Sequence, residues 1–305
     1  MDGVLSAIGA TPLVRLERLV DDTMAEVWVK LEGANPTGSY KDRMALAIIE
    51  GAEREGRLEP GQPIVEYTGG STGSSLAFIC SMRGYPLRLV TSDAFSAEKL
   101  RTMGAFGAEL EIIPSDGGIT AELLSSMRGR CEEIAAKTGA FNTDQFNNRD
   151  AIAGYRILGD EIVAELPGPA AAFCGLIGTA GNFLGVTAAL RESRPELERI
   201  VIEPEESPVI SGGASGKHRI EGGGVGFWPP MLSEGSYDRV ETVSTSDAWD
   251  MARRAARTEG LWTGPSGGAN LVVALRAATR LGPGHRVVTV QPDSGLKYVG
   301  GELYA

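Results

Sequence analysis

Apolar residues recur along this chain with two alternating periods. Met44, Ala45, Ile48, Ile49 and Ala52 return at helical spacing, whereas 64–67 and 87–91 are short apolar runs bounded by Gly, Pro, Ser and Asp. The first pattern predicts an amphipathic helix and the second buried strands. Extended along the chain, this reading predicts strand 27–31, helix 40–55, strand 64–67, helix 74–83, strand 87–91, helix 96–104 and strand 110–113. It continues with helices 120–137 and 151–165, strand 172–177, helix 182–193, strand 200–203, helices 246–259 and 267–280, and strand 287–291. Strands and helices in such alternation predict an α/β fold built on parallel sheets.

Two stretches lack either period. Residues 204–230 are rich in Gly and Pro and predict a long loop whose purpose is functional rather than structural. Polar residues interrupt the pattern at 141–150, a place for a boundary between two lobes. At 305 residues the chain is long enough for two lobes with their own cores, and it contains no internal repeat.

Composition narrows the function classes. Hydrophobic residues at 42% and charged ones at 23% describe an ordinary globular protein. A net charge of −11 disfavours nucleic acid and anionic membrane, which both call for a basic surface. No apolar run is long enough to span a bilayer, and Met1-Asp2-Gly3 does not open a secretory leader, so a cytoplasmic protein is expected. Cys80, Cys131 and Cys174 are widely spaced without a CxxC pair, and the histidines are only His218 and His285. Neither a disulfide framework nor a metal site is indicated, and the cysteines are expected as buried small apolar residues.

The strongest chemical clue is Lys41, at the end of the turn-rich run Asn35-Pro36-Thr37-Gly38-Ser39-Tyr40-Lys41-Asp42-Arg43. Ser39 followed by Asp42 reads as a capping box, which places Lys41 in the first turn of the following helix. The positive end of the helix dipole disfavours an ammonium there and should lower the amine's pKa, as a Schiff-base lysine needs. A solvated surface lysine is the competing reading. Three small-residue turns each lead from a strand or loop into a helix: Thr68-Gly69-Gly70-Ser71-Thr72-Gly73, Gly178-Thr179-Ala180-Gly181-Asn182 and Gly264-Pro265-Ser266-Gly267-Gly268. The first two suit an anion held by backbone N–H groups, though tight connections would use the same residues. Neither matches the Walker or dinucleotide fingerprint. Ser266 in the third reads most simply as an N-cap.

Taken together and in this order, these segments resemble the cysteine synthase and cystathionine β-synthase family of pyridoxal-phosphate enzymes, the fold type II group. The likeness runs from Ile8-Gly9-Ala10-Thr11-Pro12-Leu13 through Pro292-Asp293-Ser294-Gly295, and 35–43 is its most specific piece. It implies two lobes, each a twisted, mostly parallel sheet flanked by helices: a larger cofactor domain of 1–45 and 150–305, and a smaller mobile domain of 46–149. It implies that Lys41 forms the Schiff base with pyridoxal 5'-phosphate, that Gly178, Thr179, Ala180, Gly181 and Asn182 cup the phosphate, and that Ser266 hydrogen-bonds the pyridine nitrogen. Thr68, Gly69, Gly70, Ser71 and Thr72 would grip the substrate α-carboxylate with Gln145 as a second contact, Ser71 also touching the cofactor. Gly222, of Gly222-Gly223-Gly224-Val225-Gly226-Phe227, would line the entrance after His218-Arg219-Ile220.

The chain departs from the family pattern at several of these positions. Ser71 stands for the usual asparagine and Gly69 for the preceding serine, while Ala180 and Asn182 replace a glycine and a threonine. The implied chemistry is β-replacement on an O-activated serine through an α-aminoacrylate, with sulfide or another thiol as nucleophile and cysteine as the leading product. Alternatives are a cysteine-degrading lyase, replacement with a different nucleophile, or an inactive binding homologue, although retention of Lys41 argues against the last. A nicotinamide enzyme would need a dinucleotide fingerprint with an acidic residue about 20 positions on, and none is found. The family implies a homodimer.

Overall fold

The computed structural model describes residues 3–115 and 120–305. In chain order the strands are β1 (Leu13–Arg15), β2 (Glu26–Leu31), β3 (Ile64–Tyr67), β4 (Leu87–Ser92), β5 (Glu109–Ile113), β6 (Phe141–Asn142), β7 (Ala172–Leu176), β8 (Glu198–Pro204), β9 (Arg239–Val243) and β10 (Arg286–Gln291). The helices are α1 (Lys41–Arg54), α2 (Ser71–Arg83), α3 (Ala97–Ala105), α4 (Ala121–Thr138), α5 (Asp150–Glu165), α6 (Gly181–Ser193), α7 (Thr245–Glu259) and α8 (Pro265–Leu281), with short 3-10 turns between some of them.

The chain forms two compact units. One comprises the described residues of 1–8 together with 41–151, and the other comprises 9–40 and 152–305. In the first, the sheet order is β5-β4-β3-β6 and every pairing is parallel. Successive residues of β3 feed opposite faces: Ile64 packs with Ala45, Ile49, Leu76 and Ile79, whereas Val65 packs with Met127, Cys131 and Ile134. Both faces are covered, which is why the strand reads as a continuous apolar run.

The second unit has the order β1-β2-β10-β7-β8-β9, parallel except that β1 runs antiparallel to β2 at the edge. One face of this sheet, through Val27, Val29, Ala172, Cys174, Ile200, Ile202 and Val287, packs against Ala248 and Ala255 of α7 and Leu271, Val273 and Ala277 of α8. No strand, and no helix longer than three residues, lies in 205–238, so the long Gly- and Pro-rich stretch is a loop, as its composition predicts. All three cysteines are buried, and burial raises each thiol pKa, that of Cys80 to about 12.

Three strands escape the periodicity. β1 has three residues and β6 two, too few to establish an alternation. β9 is an edge strand of the second sheet carrying Arg239 and Glu241, and charged, half-exposed residues of that kind conceal it. Among the described residues, no helix is long and apolar enough to cross a membrane.

Candidate active site

Lys41 is the first residue of α1, just past a turn in which Gly38 takes φ +73°. Its side chain is only 9% exposed, and burial brings the amine from its ordinary 10.5 down to about 8, against an opposing pull from the Glu66 carboxylate. The lowering expected from sequence is present, but its leading cause is burial rather than the helix dipole. An amine with this pKa is mostly protonated near neutral pH, yet its neutral fraction is far larger than that of an ordinary lysine, so it can act as a nucleophile or base.

In the same unit, β3 runs into the loop of Thr68, Gly69 and Gly70. Helix α2 begins at Ser71, three residues earlier than predicted, with Gly70 as N-cap and no side chain capping it. The N–H groups of the first turn therefore have no side-chain cap, the arrangement that suits a carboxylate. The neighbouring hydroxyls are committed: Thr68 Oγ1 accepts the Gly70 N–H at 3.1 Å, and the Thr72 hydroxyl donates to Gln145 Oε1 at 2.7 Å. The structure thus joins Gln145 to this loop, although 73 residues separate it from Thr72. Gly69 also has a local reason to be glycine. A Cβ there would fall 1.9 Å from Phe95, so the ring occupies the space a serine would need.

In the other unit, β7 leads through Gly178, Thr179 and Ala180 into α6, which begins at Gly181 and again has no side-chain cap. Ala180 is the N-cap in a left-handed conformation, φ +70°, rare for a residue with a Cβ. Asn182, the second residue of the helix, has its Nδ2 buried without a hydrogen-bond partner among the described residues. A buried donor left over at an uncapped helix N-terminus is what an anionic ligand would satisfy, so these residues fit a phosphate. The glycine loop closes over the same turn. Gly224 N–H donates to Ile177 O at 2.9 Å, and a Cβ on Gly178 would meet the Gly222 carbonyl at 2.6 Å. His218 Nε2 lies 2.8 Å from Gly224 O, a structural contact within that loop.

Ser266 joins this group, since a Cβ on Gly222 would lie 3.6 Å from its Cβ and Oγ. Its predicted role as N-cap is corrected: Gly264 is the N-cap and Pro265 the first helical residue, because the fixed φ of proline suits that position. Ser266 therefore lies inside the first turn of α8, 4% exposed and capping nothing, its hydroxyl not needed by the helix end. Asn270, one turn on, anchors that end: its Oδ1 accepts the Leu176 N–H and its Nδ2 donates to Val290 O, both at 2.8 Å, tying α8 to β7 and β10.

Sequence reasoning gave no role of their own to Glu66, Asn270, Asp293 and Tyr298. Asp293 Oδ2 accepts the Tyr298 hydroxyl at 2.6 Å, and both residues stand where a Cβ on Gly264 would be, so they support the turn before Ser266. The one legible signal was Glu66, an acid inside an apolar strand directly before a glycine-rich turn.

Comparison with known proteins agrees with this geometry. Residues 4–293 match the family of pyridoxal-phosphate dependent enzymes. Cysteine synthase of Staphylococcus aureus is 40% identical over 307 aligned positions that cover 100% of this chain and 97% of the relative. O-acetyl serine sulfhydrylase isoform 3 of Entamoeba histolytica superposes with a TM-score of 0.94 at 33% identity, covering 100% of this chain and 91% of that one. A hydrogen sulfide-producing enzyme of Fusobacterium nucleatum gives 0.90 at 34%, covering 98% of each chain. The uncapped turns, the buried amine and the end-to-end agreement lead to one conclusion: the chain belongs to the pyridoxal-phosphate dependent enzymes, in the fold type II group with cysteine synthase.

Proposed function

We propose that this enzyme makes L-cysteine by β-replacement, exchanging the oxygen substituent of an O-activated L-serine for sulfide. The reading rests on the end-to-end 40% identity to a protein named cysteine synthase. Bound pyridoxal phosphate would supply an electron sink for the pair left when the substrate's Cα–H bond breaks. Lys41 Nζ is the attachment point for the cofactor and, once free, the base that takes the Cα proton; its pKa of about 8 suits both roles. The Ser71 and Thr72 N–H groups and the Gln145 amide hold the α-carboxylate and orient the Cα–H bond. Gly178, Thr179, Ala180, Gly181 and Asn182 bind the phosphate, with Asn182 Nδ2 as a side-chain donor and Gly222 closing over them. Ser266 offers the pyridine nitrogen a neutral hydroxyl instead of a carboxylate. A hydroxyl would not hold a proton on that nitrogen as a carboxylate would, which would temper the electron sink and suit prompt loss of the β-substituent.

A cysteine-degrading lyase is the second reading, favoured by the likeness to the hydrogen sulfide-producing enzyme and by the short Ser71 side chain in the carboxylate turn. The deciding experiment supplies O-acetylserine, O-phosphoserine, serine or cysteine, each with and without sulfide or homocysteine. Cysteine formed from an O-activated serine and sulfide should outpace every other reaction. Faster release of sulfide and pyruvate from cysteine would replace the first reading with the second. A cytoplasmic homodimer belongs to the same proposal, and sedimentation at twice the 32.1 kDa chain mass checks the dimer.

A further inference from the structure

Glu66 is a fully buried carboxylate in β3, a strand paired on both sides. A charge in that place needs every lone pair it can satisfy, and three donors meet it. Oε1 accepts the Tyr67 N–H at 2.9 Å, while Oε2 accepts the Thr143 hydroxyl at 2.6 Å and the Gln145 N–H at 3.0 Å. Tyr67 immediately precedes the carboxylate turn, and Thr143 and Gln145 flank Asp144, whose φ of +43° is unusual for a residue with a Cβ. This strained step delivers the Gln145 N–H to Glu66. Beyond it, Gln145 Oε1 takes the Thr72 hydroxyl, and Nε2 lies a long 3.5 Å from Tyr67 O, which leaves the amide hydrogens weakly engaged.

We propose that Glu66 is the positioning residue of the substrate-carboxylate site, clamping Gln145 and the start of the Thr68–Thr72 turn so that their donors converge on the amino acid's α-carboxylate. The inference rests on the reading that this turn and Gln145 bind the α-carboxylate. Glu66 acts through its partners and does not itself touch the substrate.

The clamp is also titratable. Burial and the Asp144 carboxylate raise the Glu66 pKa, the three hydrogen bonds lower it, and the balance lies at about 7. The other groups that interact with it electrostatically are Lys41 of α1, Cys131 of α4 and the phenol of the adjacent Tyr67. As a carboxylate, above about pH 7, it accepts all three donors; protonation below that turns one acceptor edge into a donor and loosens the clamp.

Equilibrium binding of L-alanine, which has no β leaving group, to the holoenzyme tests this by calorimetry. In Glu66→Gln the amide can face its oxygen to Thr143 and Gln145 only by setting its NH2 against the Tyr67 N–H. Affinity for alanine should then fall about tenfold or more, the scale of a lost hydrogen bond to a charged group. In turnover, KM for the amino-acid donor should rise by a similar factor, while KM for sulfide stays unchanged and kcat changes less. The ratio of wild-type to variant affinity should be largest above pH 7 and shrink toward one below it, a dependence that a merely structural glutamate would not produce. Gln145→Ala should weaken alanine binding as well, and adding Glu66→Gln to it should cause little further loss. If Gln145→Ala leaves alanine binding intact, the carboxylate-site reading itself is wrong. If Gln145→Ala weakens binding and Glu66→Gln does not, or if the ratio is flat with pH, the clamp is refuted and that reading stands. Should Glu66→Gln not fold, Thr143→Val removes one donor and keeps the carboxylate; unchanged alanine affinity there overturns the proposal.

Discussion

The turn that begins α2 and the turn that begins α6 solve one problem by different means. Both lead from a parallel strand into a helix whose N-terminus has no side-chain cap. Around the α2 turn the side chains are committed to a network: Thr68 to Gly70, Thr72 to Gln145, and Gln145 to the buried Glu66. Around the α6 turn the close contacts are mostly backbone, with Gly178 pressed toward the Gly222 carbonyl and one spare amide at Asn182. A resident phosphate can be held by fixed backbone donors, which do not titrate. On the proposed reading the substrate carboxylate, which must enter and leave, is held at backbone N–H groups whose turn is itself fixed by side chains, and these can respond to pH. On the same reading, variation in the α2 turn changes what is bound, while variation in the α6 turn changes whether the cofactor stays.

The largest expected effect falls on Lys41, the residue on which the proposed function depends. Lys41→Ala should reduce turnover by at least about a thousandfold and remove the cofactor's bound-state absorbance. Normal activity in that variant would end the proposed mechanism. The same residue gives a pH test in apoprotein. The folded pKa of about 8 lies below the ordinary 10.5, so below pH 8 the folded state carries a buried ammonium that the unfolded chain keeps in water. Lys41→Met apoprotein should therefore be more stable than wild type by about 3 kcal/mol at most below pH 8. The gap should narrow between pH 8 and 10.5 and vanish above. Chemical denaturation across that range checks it, and a gap that widens with pH would contradict burial as the cause.

Next come two glycines, one in each turn. Gly69→Ser collides with the Phe95 ring, and Gly178→Ala with the Gly222 carbonyl. Each should destabilise by about 1–3 kcal/mol, the usual scale of overpacking. Their rescue should differ. A ring can be cut back, so Phe95→Ala should restore the stability of Gly69→Ser, whereas no side-chain change relieves a clash with a backbone carbonyl. Thermal unfolding of the two singles and the Gly69→Ser, Phe95→Ala double is the measurement. Failure of the double to recover would show that Gly69 is glycine for a reason other than the ring.

The two turns also differ in how far they could be read in advance. Helices with a strong apolar period were legible to within a residue or two, as 151–165 against Asp150–Glu165 shows. The turns were legible as strand-to-helix connections because runs of small residues break both periods there. What lay beyond sequence was the wiring between distant segments. Glu66 meets Thr143 and Gln145 only because β3 pairs with β6, a two-residue strand that no periodicity reveals. Ser266 was misplaced by two positions, since Gly264 is the N-cap and Pro265 starts α8 earlier than the apolar pattern does. Burial of Lys41 depends on tertiary packing, so its direction of titration could be guessed from the helix start but not its leading cause.

The smallest expected effect sharpens the contrast most finely, because it concerns backbone alone. Ala180 occupies the left-handed region as N-cap of α6, where a residue with a Cβ is strained by about 1–2 kcal/mol. Glycine would relieve that strain but lose more backbone freedom on folding, about 0.5–1 kcal/mol. Ala180→Gly should therefore stabilise the protein by about 1.5 kcal/mol at most. If the cup works through fixed backbone donors, the same change should slightly weaken cofactor retention, because a glycine lets the Thr179–Gly181 segment leave the conformation that alanine enforces. Ser71→Asn in the other turn should do the reverse, chiefly altering the preference among amino-acid donors with a smaller change in cofactor release. Measuring cofactor dissociation and donor KM for both variants separates the two turns. Were Ala180→Gly to shift donor preference and Ser71→Asn to release cofactor, the division of labour drawn between them would be inverted.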